Sequence, residues 1–251
     1  MTKILLTGAC GKMGNTVANC VANDNDAEII CGIDINEAHL DFPVYRNFSD
    51  VKELPDVVID FSNPALLDKL LEFCITKKIP AVLATTGYSD EQIEKIKQAS
   101  KQIPVFFTFN MSLGINLLCS LAKKAASILG NAFDIEIVEK HHNQKLDAPS
   151  GTAIMLANAI NEEFGDKMQY EYDRHSKRQK RPKNEIGIHS IRGGTIVGEH
   201  DVIFAGHDEV ITLSHSAGSK AVFAAGALKA AKFLANKPIG IYDMTDVVKT
   251  D

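Results

Sequence analysis

The chain has 251 residues, 45% of them hydrophobic, so it has enough apolar material for one large domain or for two. Its formal net charge of −5 argues against a nucleic-acid-binding protein, and no apolar run approaches membrane-spanning length. The five cysteines are scattered without a Cys-x-x-Cys, which argues against a disulfide framework or a zinc ribbon and predicts reduced thiols in a soluble, cytoplasmic protein.

The first predicted elements are a strand, a glycine turn and a helix. The apolar strand Lys3–Thr7 runs into Gly-Ala-Cys-Gly-Lys-Met-Gly, and a helical apolar spacing follows. This order is typical of a dinucleotide-binding fold, in which glycines permit a tight turn and let backbone N–H groups approach a pyrophosphate. The alternative is a glycine-rich turn without a ligand, because the spacing is not the commoner Gly-x-Gly-x-x-Gly. The cofactor contacts predicted from this turn are Gly8, Cys10, Gly11, Lys12, Met13 and Gly14.

A second predicted strand, Glu28–Ile33, ends at an acidic residue. Asp34 stands where a carboxylate accepts hydrogen bonds from the adenosine ribose, although a cap or turn aspartate is the alternative. The next residues, 35–39, contain no Arg or Lys to accept a 2′-phosphate. Lys12 and Lys220 are the opposing cations. We therefore expect NADH or NADPH to be used, with a preference for NADH.

Strands and helices then alternate as far as residue 129, which predicts an α/β fold with a parallel sheet and helices on both faces. Ligands of such sheets bind beyond the carboxyl ends of the strands. Hydroxyl, amide and aromatic groups follow three of the strands, although each group alone is also ordinary turn chemistry. The predicted contacts at these ends are Phe61, Thr85, Thr86, Phe109, Asn110 and Met111.

The stretch from Glu139 to Thr152 connects a predicted strand, residues 134–139, to a predicted helix, residues 153–164. Its strand end carries His141, His142 and Lys145. Its helix end reads Ser-Gly-Thr, and backbone N–H groups there stabilise an anion by roughly 0.3 to 1 kcal/mol. This pattern predicts proton donors beside a carboxylate cradle at Gly151 and Thr152. A surface loop with ordinary helix capping is the alternative.

A metal site is disfavoured in this stretch. Adjacent histidines of an extended strand point to opposite faces, and no Cys pair or His-x-x-x-His completes a coordination shell. A basic segment follows at residues 174–183. Nucleic-acid binding is one interpretation of it, but an acidic chain without interleaved aromatics favours a solvated or subunit-contacting loop.

The last part of the chain predicts a smaller α+β domain. Three strand-like runs, 186–191, 195–204 and 209–215, are joined by short glycine turns and should be antiparallel neighbours whose open face pairs with another subunit. The Ala- and Gly-rich helix 220–235 should pack back on the first domain. The predicted domains are a dinucleotide-binding domain of residues 1–111 and 219–251, and a substrate-binding domain of residues 112–218.

The pattern His-His-x-x-Lys-x-Asp-x-Pro-Ser-Gly-Thr, together with the glycine turn, resembles the dihydrodipicolinate reductase family over essentially the whole length. The resemblance implies a Rossmann-like cofactor domain, a tetramerising substrate domain, and reduction of a cyclic dicarboxylic imine by NADH or NADPH on the diaminopimelate route to lysine. It implies that His141 is the general acid, Lys145 a second proton donor and charge partner, His142 a substrate contact, and Gly151 with Thr152 the carboxylate cradle.

The same resemblance adds a cofactor contact at Ala84, which stands where the family has a glycine before Thr-Thr-Gly. Met111 stands where the family often has an aromatic residue. Two other functions stay open from the residues alone. One is a dehydrogenase of another small amino or hydroxy acid, and the other is an NAD-sensing module without catalysis.

Overall fold

The computed structural model describes residues 1–248, which form twelve strands and seven α-helices. The strands are β1 (Thr2–Thr7), β2 (Ala27–Ile33), β3 (Val44–Tyr45), β4 (Val57–Asp60), β5 (Ala81–Leu83), β6 (Pro104–Phe107), β7 (Asp134–His141), β8 (Gln169–Glu171), β9 (Glu185–Arg192), β10 (Gly198–Ala205), β11 (Val210–Ala217) and β12 (Gly240–Tyr242). The helices are α1 (Lys12–Ala22), α2 (Leu67–Lys77), α3 (Asp90–Ala99), α4 (Leu113–Leu129), α5 (Gly151–Glu162), α6 (Ala221–Leu234) and α7 (Met244–Val248).

Two compact units divide the chain. Unit 1 combines Met1–Leu113 with the described residues from Lys220 onward, and unit 2 is Gly114–Ser219. Each unit has its own sheet and its own apolar core. The sequence-based boundaries, 111/112 and 218/219, lie beside these divisions. The roles assigned to the two domains stay predictions.

Unit 1 is built on a seven-stranded sheet of order β12-β6-β5-β4-β1-β2-β3, and its strand pairs are parallel. In β1, Ile4 and Leu6 point into one core cluster and Leu5 points into another, and all three are fully buried. Strands covered on both faces read as continuous apolar runs, which is the pattern of parallel sheets. Helices α1 and α6 cover one face, and α2 and α3 cover the other. The Rossmann-like sheet predicted from the sequence is therefore confirmed.

Helix α6 lies unusually close to the backbone of unit 1. A Cβ atom at Gly226 would stand 1.8 Å from the carbonyl oxygen of Met111. The alanines of the same helix, among them Ala224 and Ala227, are fully buried in the same cluster. The predicted close approach of this Ala- and Gly-rich helix is confirmed, since only small residues fit at this separation.

Unit 2 has a five-stranded sheet of order β11-β10-β7-β9-β8. Residues of β7 alternate between half-buried and buried, so Ile135, Ile137, Glu139 and His141 share the inward face. The two isoleucines pack against α4 and α5 in one apolar cluster. The two polar residues occupy the end of the strand where the chain leaves the sheet for α5. The alternation thus places the ionisable side chains of Glu139 and His141 at the edge of the apolar core of unit 2.

One strand pairing differs from the sequence prediction. The runs now assigned to β9 and β10 were expected to be antiparallel neighbours, but β7 lies between them, parallel to β9 and antiparallel to β10. Their connection crosses the end of β7, where Gly193 N–H donates to the His141 carbonyl and Asn143 N–H donates to the Gly194 carbonyl. The short connection between β9 and β10 can pass over β7 because its backbone finds hydrogen-bond partners at the end of β7.

Helix α4 corrects another expectation. With the turn that follows it, the helix forms the 20-residue segment Leu113–Ala132, which contains an 18-residue window of mean hydropathy 1.2. By length and composition alone, this segment could cross a membrane. The prediction from the sequence that no apolar stretch approaches this length was therefore wrong. One such helix is weak grounds for a membrane span, because core helices meet the same criteria. Here Ile115, Leu118 and Ala122 pack in the core of unit 2.

Candidate active site

The glycine turn of unit 1 has the geometry of a pyrophosphate-binding loop. Gly8 has φ +71°, and a Cβ atom there would stand 2.4 Å from the Phe61 carbonyl oxygen. A Cβ atom at Gly14 would stand 2.2 Å from the Gly8 carbonyl oxygen. Gly11 is the N-cap of α1, and no side chain among residues 1–248 makes a capping hydrogen bond to that helix. The first N–H groups of α1 therefore have no capping side chain, and the residues fit a dinucleotide.

Asp34, the predicted ribose acceptor, also braces the glycine turn. One carboxylate oxygen accepts from Cys10 N–H at 2.9 Å, and the other accepts from Asn36 N–H at 2.9 Å. Its own N–H donates to the Tyr45 carbonyl, 3.1 Å away, so β2 and β3 end side by side. The side chain of Asp34 thus lies where the turn and the second strand meet.

Arg46 is a cation at this edge that sequence reasoning missed. It follows β3, and its Nη2 lies 3.0 Å from Oε1 of Glu37 on a largely exposed surface. The residues directly after Asp34, 35–39, contain no cation, and a strand as short as β3, with two residues, leaves no periodic signal that would place a later cation at this edge. The register of β2 and β3 brings Arg46 beside Asp34 all the same.

The other predicted cofactor residues of unit 1 lie at the carboxyl edge of the sheet or in the first turn of α1. Phe109 is 69% exposed and its ring meets the edge of Phe107 at 5.4 Å. Met111 is 3% exposed and its side chain lies in the core, so only its backbone is available to a ligand. Half-buried or buried residues at this edge include Phe61, Ala84, Thr85 and Asn110, while Lys12 and Thr86 are exposed and Met13 packs beside the core.

A buried carboxylate at the same edge was not predicted. Asp60 ends β4, is 1% exposed, and accepts hydrogen bonds from Thr7 Oγ1, from Ser62 Oγ at 2.5 Å and from Tyr88 Oη at 2.9 Å. Burial, and then the neighbouring charge of Asp60, raise the pKa of Tyr88. The carboxylate thus joins the ends of β1, β4 and the loop after β5. Its signal in the sequence is an acidic residue closing an otherwise apolar strand.

In unit 2, Glu139 is the centre of the candidate site. It is fully buried, and its Oε2 lies 2.6 Å from His141 Nδ1 while its Oε1 accepts from Ser150 N–H at 3.0 Å. Arg192 donates to both oxygens, at 2.8 and 2.7 Å. Burial raises the pKa of Glu139, but the hydrogen bonds from Arg192, His141 and neighbouring groups together lower it to about 2. The carboxylate is therefore ionised at neutral pH.

His141 and His200 form an imidazole pair beside this carboxylate. Their rings meet edge-on at 5.2 Å, and His200 Nε2 lies 3.0 Å from Ser150 Oγ. Burial lowers the pKa of His141, while Glu139 acts in the opposite direction. Burial, and then the charge of His141, lower the pKa of His200 to about 4. His200 is therefore neutral at physiological pH.

The rest of the predicted site lies between β7 and the start of α5. Ser150 caps the helix by accepting from Ala153 N–H at 3.1 Å, so Gly151 and Thr152 form the first helical turn as the predicted cradle requires. Lys145 Nζ lies 2.9 Å from Asp147 Oδ1. His142 follows the strand, and its buried Nδ1 has no hydrogen-bond partner within residues 1–248.

Sequence reasoning found the histidines, the lysine and the helix start, but it missed Glu139, Arg192 and His200 as members of the site. The alternation of β7 was a usable signal for Glu139, since it shares a face with His141. Arg192 and His200 carried no local signal. They lie more than fifty residues along the chain, and only the register of β9 and β10 on β7 places them there.

The basic segment 174–183 is largely neutralised within unit 2. Arg181 pairs with Asp134 at 3.1 Å and with Glu136 at 3.0 Å, and Arg174 pairs with Glu136 at 2.9 Å. These partners leave little free positive charge for a polyanion, which favours the predicted solvated or contacting loop over nucleic-acid binding. Within residues 1–248, no cluster of three or more His, Cys, Asp or Glu residues is arranged to hold a metal ion.

Comparison with known proteins agrees with this geometry. The family model described as dihydrodipicolinate reductase, N-terminus, matches residues 2–111, and that described as dihydrodipicolinate reductase, C-terminus, matches residues 114–248. The chain is 55% identical to a 4-hydroxy-tetrahydrodipicolinate reductase of Caldanaerobacter subterraneus subsp. tengcongensis, with 99% of each chain covered. It is 51% identical to that of Clostridium tetani, with 97% of this chain and 96% of the relative covered.

Among solved structures, one similar chain carries the same family name and another shares the fold. A dipicolinate-bound dihydrodipicolinate reductase from Paenisporosarcina sp. TG-14 superposes with a TM-score of 0.81 at 26% identity, covering 97% of each chain. A myo-inositol 2-dehydrogenase from Lactobacillus plantarum superposes with a TM-score of 0.62 at 11% identity, covering 99% of this chain and 93% of the other, and shows the fold alone.

The fold and the glycine turn define a nicotinamide-dependent oxidoreductase with a Rossmann-like domain. The second unit specifies which kind. This chain belongs to the dihydrodipicolinate reductase family. The amino-terminal domain of the family is its NAD(P)-binding domain, and the family uses NADH or NADPH.

Proposed function

We propose that this protein reduces 4-hydroxy-tetrahydrodipicolinate to tetrahydrodipicolinate, with NADH or NADPH, on the diaminopimelate route to lysine. The observation that carries the proposal is the arrangement around Glu139, which holds an imidazole, His141, beside the amino terminus of α5. A relative with 55% identity over 99% of the chain carries the name of this activity. The dipicolinate named with the solved relative is a planar dicarboxylate of the class that such a cradle suits.

In this mechanism the bound nicotinamide supplies the hydride. Hydride addition to a conjugated imine leaves electron density that a proton must neutralise, so a cationic donor near the acceptor lowers the barrier. His141 is the general acid, and Lys145 is the second proton donor and the partner of a substrate carboxylate. Gly151 and Thr152 hold a carboxylate on the first turn of α5. His142 contacts the substrate, in keeping with its buried, unpartnered ring nitrogen in the described chain.

The cofactor-binding residues form a proposed set in unit 1. The glycine turn binds the pyrophosphate, Asp34 binds the adenosine ribose, and the groups beyond β4, β5 and β6 bind the nicotinamide half. The set consists of Gly8, Cys10, Gly11, Lys12, Met13, Gly14, Asp34, Phe61, Ala84, Thr85, Thr86, Phe109, Asn110 and Met111. We propose a preference for NADH because Asp34 repels a 2′-phosphate, with Lys12, Lys220 and now Arg46 acting against it.

We further propose a cytoplasmic homotetramer. The outward face of the unit 2 sheet supports it, since Ile191 is 46% exposed and the edge strand β11 exposes Val210 by 63%. Analytical ultracentrifugation of the wild type should give four times the chain mass. An Ile191→Asp variant should give a smaller species, and a monomeric wild type at micromolar concentration would contradict the proposal.

The test of the activity is a coupled assay. The product of dihydrodipicolinate synthase is supplied with NADH or NADPH, and loss of reduced-nicotinamide absorbance is followed. Pyridine-2,6-dicarboxylate should inhibit competitively, and pyridine-2-carboxylate should inhibit much less because one carboxylate is missing. Oxidation of amino acids with NAD⁺ and no turnover of the cyclic substrate would instead indicate an amino-acid dehydrogenase. Cofactor binding without any turnover would indicate a sensor.

A further inference from the structure

Both oxygens of Glu139 are committed, and to different parts of the site. Oε2 meets His141 Nδ1 and Arg192 Nη1, whereas Oε1 receives Ser150 N–H and Arg192 Nη2. His141 belongs to the proposed proton donor, and Ser150 immediately precedes the proposed cradle. One carboxylate therefore connects the two functional parts of unit 2.

The contact with Glu139 determines the tautomer of His141. An ionised carboxylate only accepts hydrogen bonds, so Nδ1 must carry a hydrogen and Nε2 is left as the ring nitrogen available for proton transfer. Gly198 on β10 leaves space beside Nε2, since a Cβ atom there would stand 3.1 Å from it. The ring is thus held at one nitrogen and open at the other.

Charged groups from every neighbouring element face His141. Glu139 is on its own strand, Arg192 on β9, His200 on β10 and Lys145 in the loop before α5. Burial and the two cations oppose protonation of His141, and Glu139 favours it. Removing the negative charge of Glu139 should therefore lower the pKa of His141 further.

Arg192 extends the same arrangement to the loop. Beyond its two bonds to Glu139, its Nη2 donates to the Asp147 carbonyl at 2.6 Å. The guanidinium is planar and forked, so it fixes the carboxylate and the loop backbone in one orientation. The loop that it fixes carries Lys145 at one end and Ser150 at the other.

We propose that Glu139 and Arg192 are a positioning pair, which fixes the tautomer and orientation of the His141 ring and, through Ser150 N–H, the carboxylate cradle of α5. This inference rests on the proposed function for the meaning of the site. The arrangement itself concerns hydrogen positions that can be measured without substrate.

The positioning pair is tested by ¹⁵N NMR of histidine-labelled protein across pH, with His141 assigned from a His141→Gln spectrum. The wild type should show Nδ1–H and a bare Nε2 in neutral His141. In Glu139→Gln the amide N–H₂ donates to Nδ1, so His141 should change to the Nε2–H tautomer and its pKa should fall. Glu199→Gln, a carboxylate of β10 that pairs with Lys140 instead, is the matched control and should leave both unchanged.

Steady-state kinetics provide a second test of the positioning pair. Glu139→Gln should lower kcat, within the roughly 100- to 10,000-fold that a positioned acid contributes. It should also move the alkaline limb of the kcat profile, where the general acid loses its proton, to lower pH. Should Glu139→Gln not fold, Arg192→Lys keeps the charge but loses the fork, and it should raise the inhibition constant of pyridine-2,6-dicarboxylate by about tenfold or more.

The outcomes distinguish a failure of the positioning pair from a failure of the proposed function. A wild-type His141 in the Nε2–H tautomer, or a Glu139→Gln protein with wild-type His141 spectra, overturns the positioning pair whatever the enzyme turns over. An Arg192→Lys protein with an unchanged inhibition constant for pyridine-2,6-dicarboxylate also overturns it. Predicted spectra in a protein that does not reduce the cyclic substrate support the pair and contradict the proposed function.

Discussion

His141, the last residue of β7, and Lys145, in the loop between β7 and α5, have different roles in the proposed proton transfer. The buried position of His141, tied to Glu139, suits an acid whose ring must not rotate. Lys145 has a flexible stem and pairs with Asp147. Their substitution should therefore have different kinetic effects.

His141→Gln should lower kcat roughly 100- to 10,000-fold with little change in substrate binding, because the acid acts mainly in the transition state. Steady-state kinetics and the inhibition constant of pyridine-2,6-dicarboxylate measure the two effects. The control is His207→Gln, since His207 is almost fully exposed in the loop between β10 and β11. Wild-type turnover in His141→Gln would remove this residue from the mechanism.

Lys145→Ala should lower both turnover and affinity, because it removes a proton donor and a cation facing a carboxylate. A charged hydrogen bond of this kind contributes about 1.5 to 3 kcal/mol, or about 10- to 150-fold in the inhibition constant. Lys140→Ala is the matched control, because Lys140 lies on the outward face of β7 with Glu199 as its partner. A loss of thermal stability with unchanged kinetics would mean that Lys145 only supports the loop.

At the scale of elements, Arg46 at the end of β3 contributes a positive charge that affects the preference between NADH and NADPH. Arg46 and Asp34 lie side by side through the pairing of β2 and β3. We expect Asp34→Ala to raise kcat/KM for NADPH relative to NADH, and Arg46→Ala to lower it, by about threefold to tenfold for exposed charges of this kind. Lys12→Ala serves as the comparison. A strong wild-type preference for NADPH that Lys12→Ala abolishes would mean that Lys12 outweighs Asp34. That result would contradict the proposed preference for NADH.

The close approach of α6 makes another element-scale prediction. Gly→Ala in a helix normally stabilises by about 1 kcal/mol, but at Gly226 the new Cβ atom would meet the Met111 carbonyl group. Gly226→Ala should therefore destabilise unit 1 by about 1 to 3 kcal/mol, seen as a lower thermal midpoint. Ala225→Gly, at an exposed position of the same helix, should lower stability only by the ordinary propensity difference. A more stable Gly226→Ala protein would show that the helix can move away.

Elements with a periodic or chemical signal were predicted well from the sequence. The strand before the glycine turn and the strand that ends at Ile33 are confirmed. The strands β3, β8 and β12 were missed, because with two or three residues they contain less than one useful period and are specified by their neighbours. The β9–β10 pairing was wrong because a short connection does not reveal that its backbone crosses a third strand.

The residues of the candidate site were also predicted only where they carried a local sequence signal. His141, Lys145 and the start of α5 are close in sequence and carried a recognisable spacing. Arg192 and His200 joined them only through sheet register, which local patterns do not determine. The deep burial of Met111 was likewise invisible in the sequence, since it depends on the distant Gly226.

For the whole molecule, acid should weaken unit 2 before its carboxylates titrate. The unfolded chain binds a proton at His200 below about pH 6.5, whereas in the folded chain burial lowers the pKa of this residue to about 4. The unfolded state therefore binds more protons in this window, and stability falls as the pH falls. Linkage gives about 2 kcal/mol between pH 7 and pH 5.

Hydrogen exchange of the β7 and β10 peptides at pH 7 and pH 5, corrected for intrinsic rates, measures this loss. His200→Gln has no titrating ring and keeps a nitrogen towards Ser150, so it should lose about 2 kcal/mol less than the wild type over the same interval. An equal loss in both proteins would assign the acid sensitivity to other groups. The contribution of Glu139 falls in a separate window, since its stabilising charge is lost only as the pH falls from about 4.5 towards 2.

Unit 1 draws its residues from both ends of the chain, while unit 2 is one continuous segment. During synthesis, unit 2 can therefore complete its sheet before α6 has left the ribosome. Until then, the apolar face of β1, β4, β5 and β6 that α6 covers stays open to water. Domains usually finish folding in the order in which they are made. Here the part made first is completed last, so the nascent chain presents an exposed apolar surface that a chaperone would recognise until α6 is released.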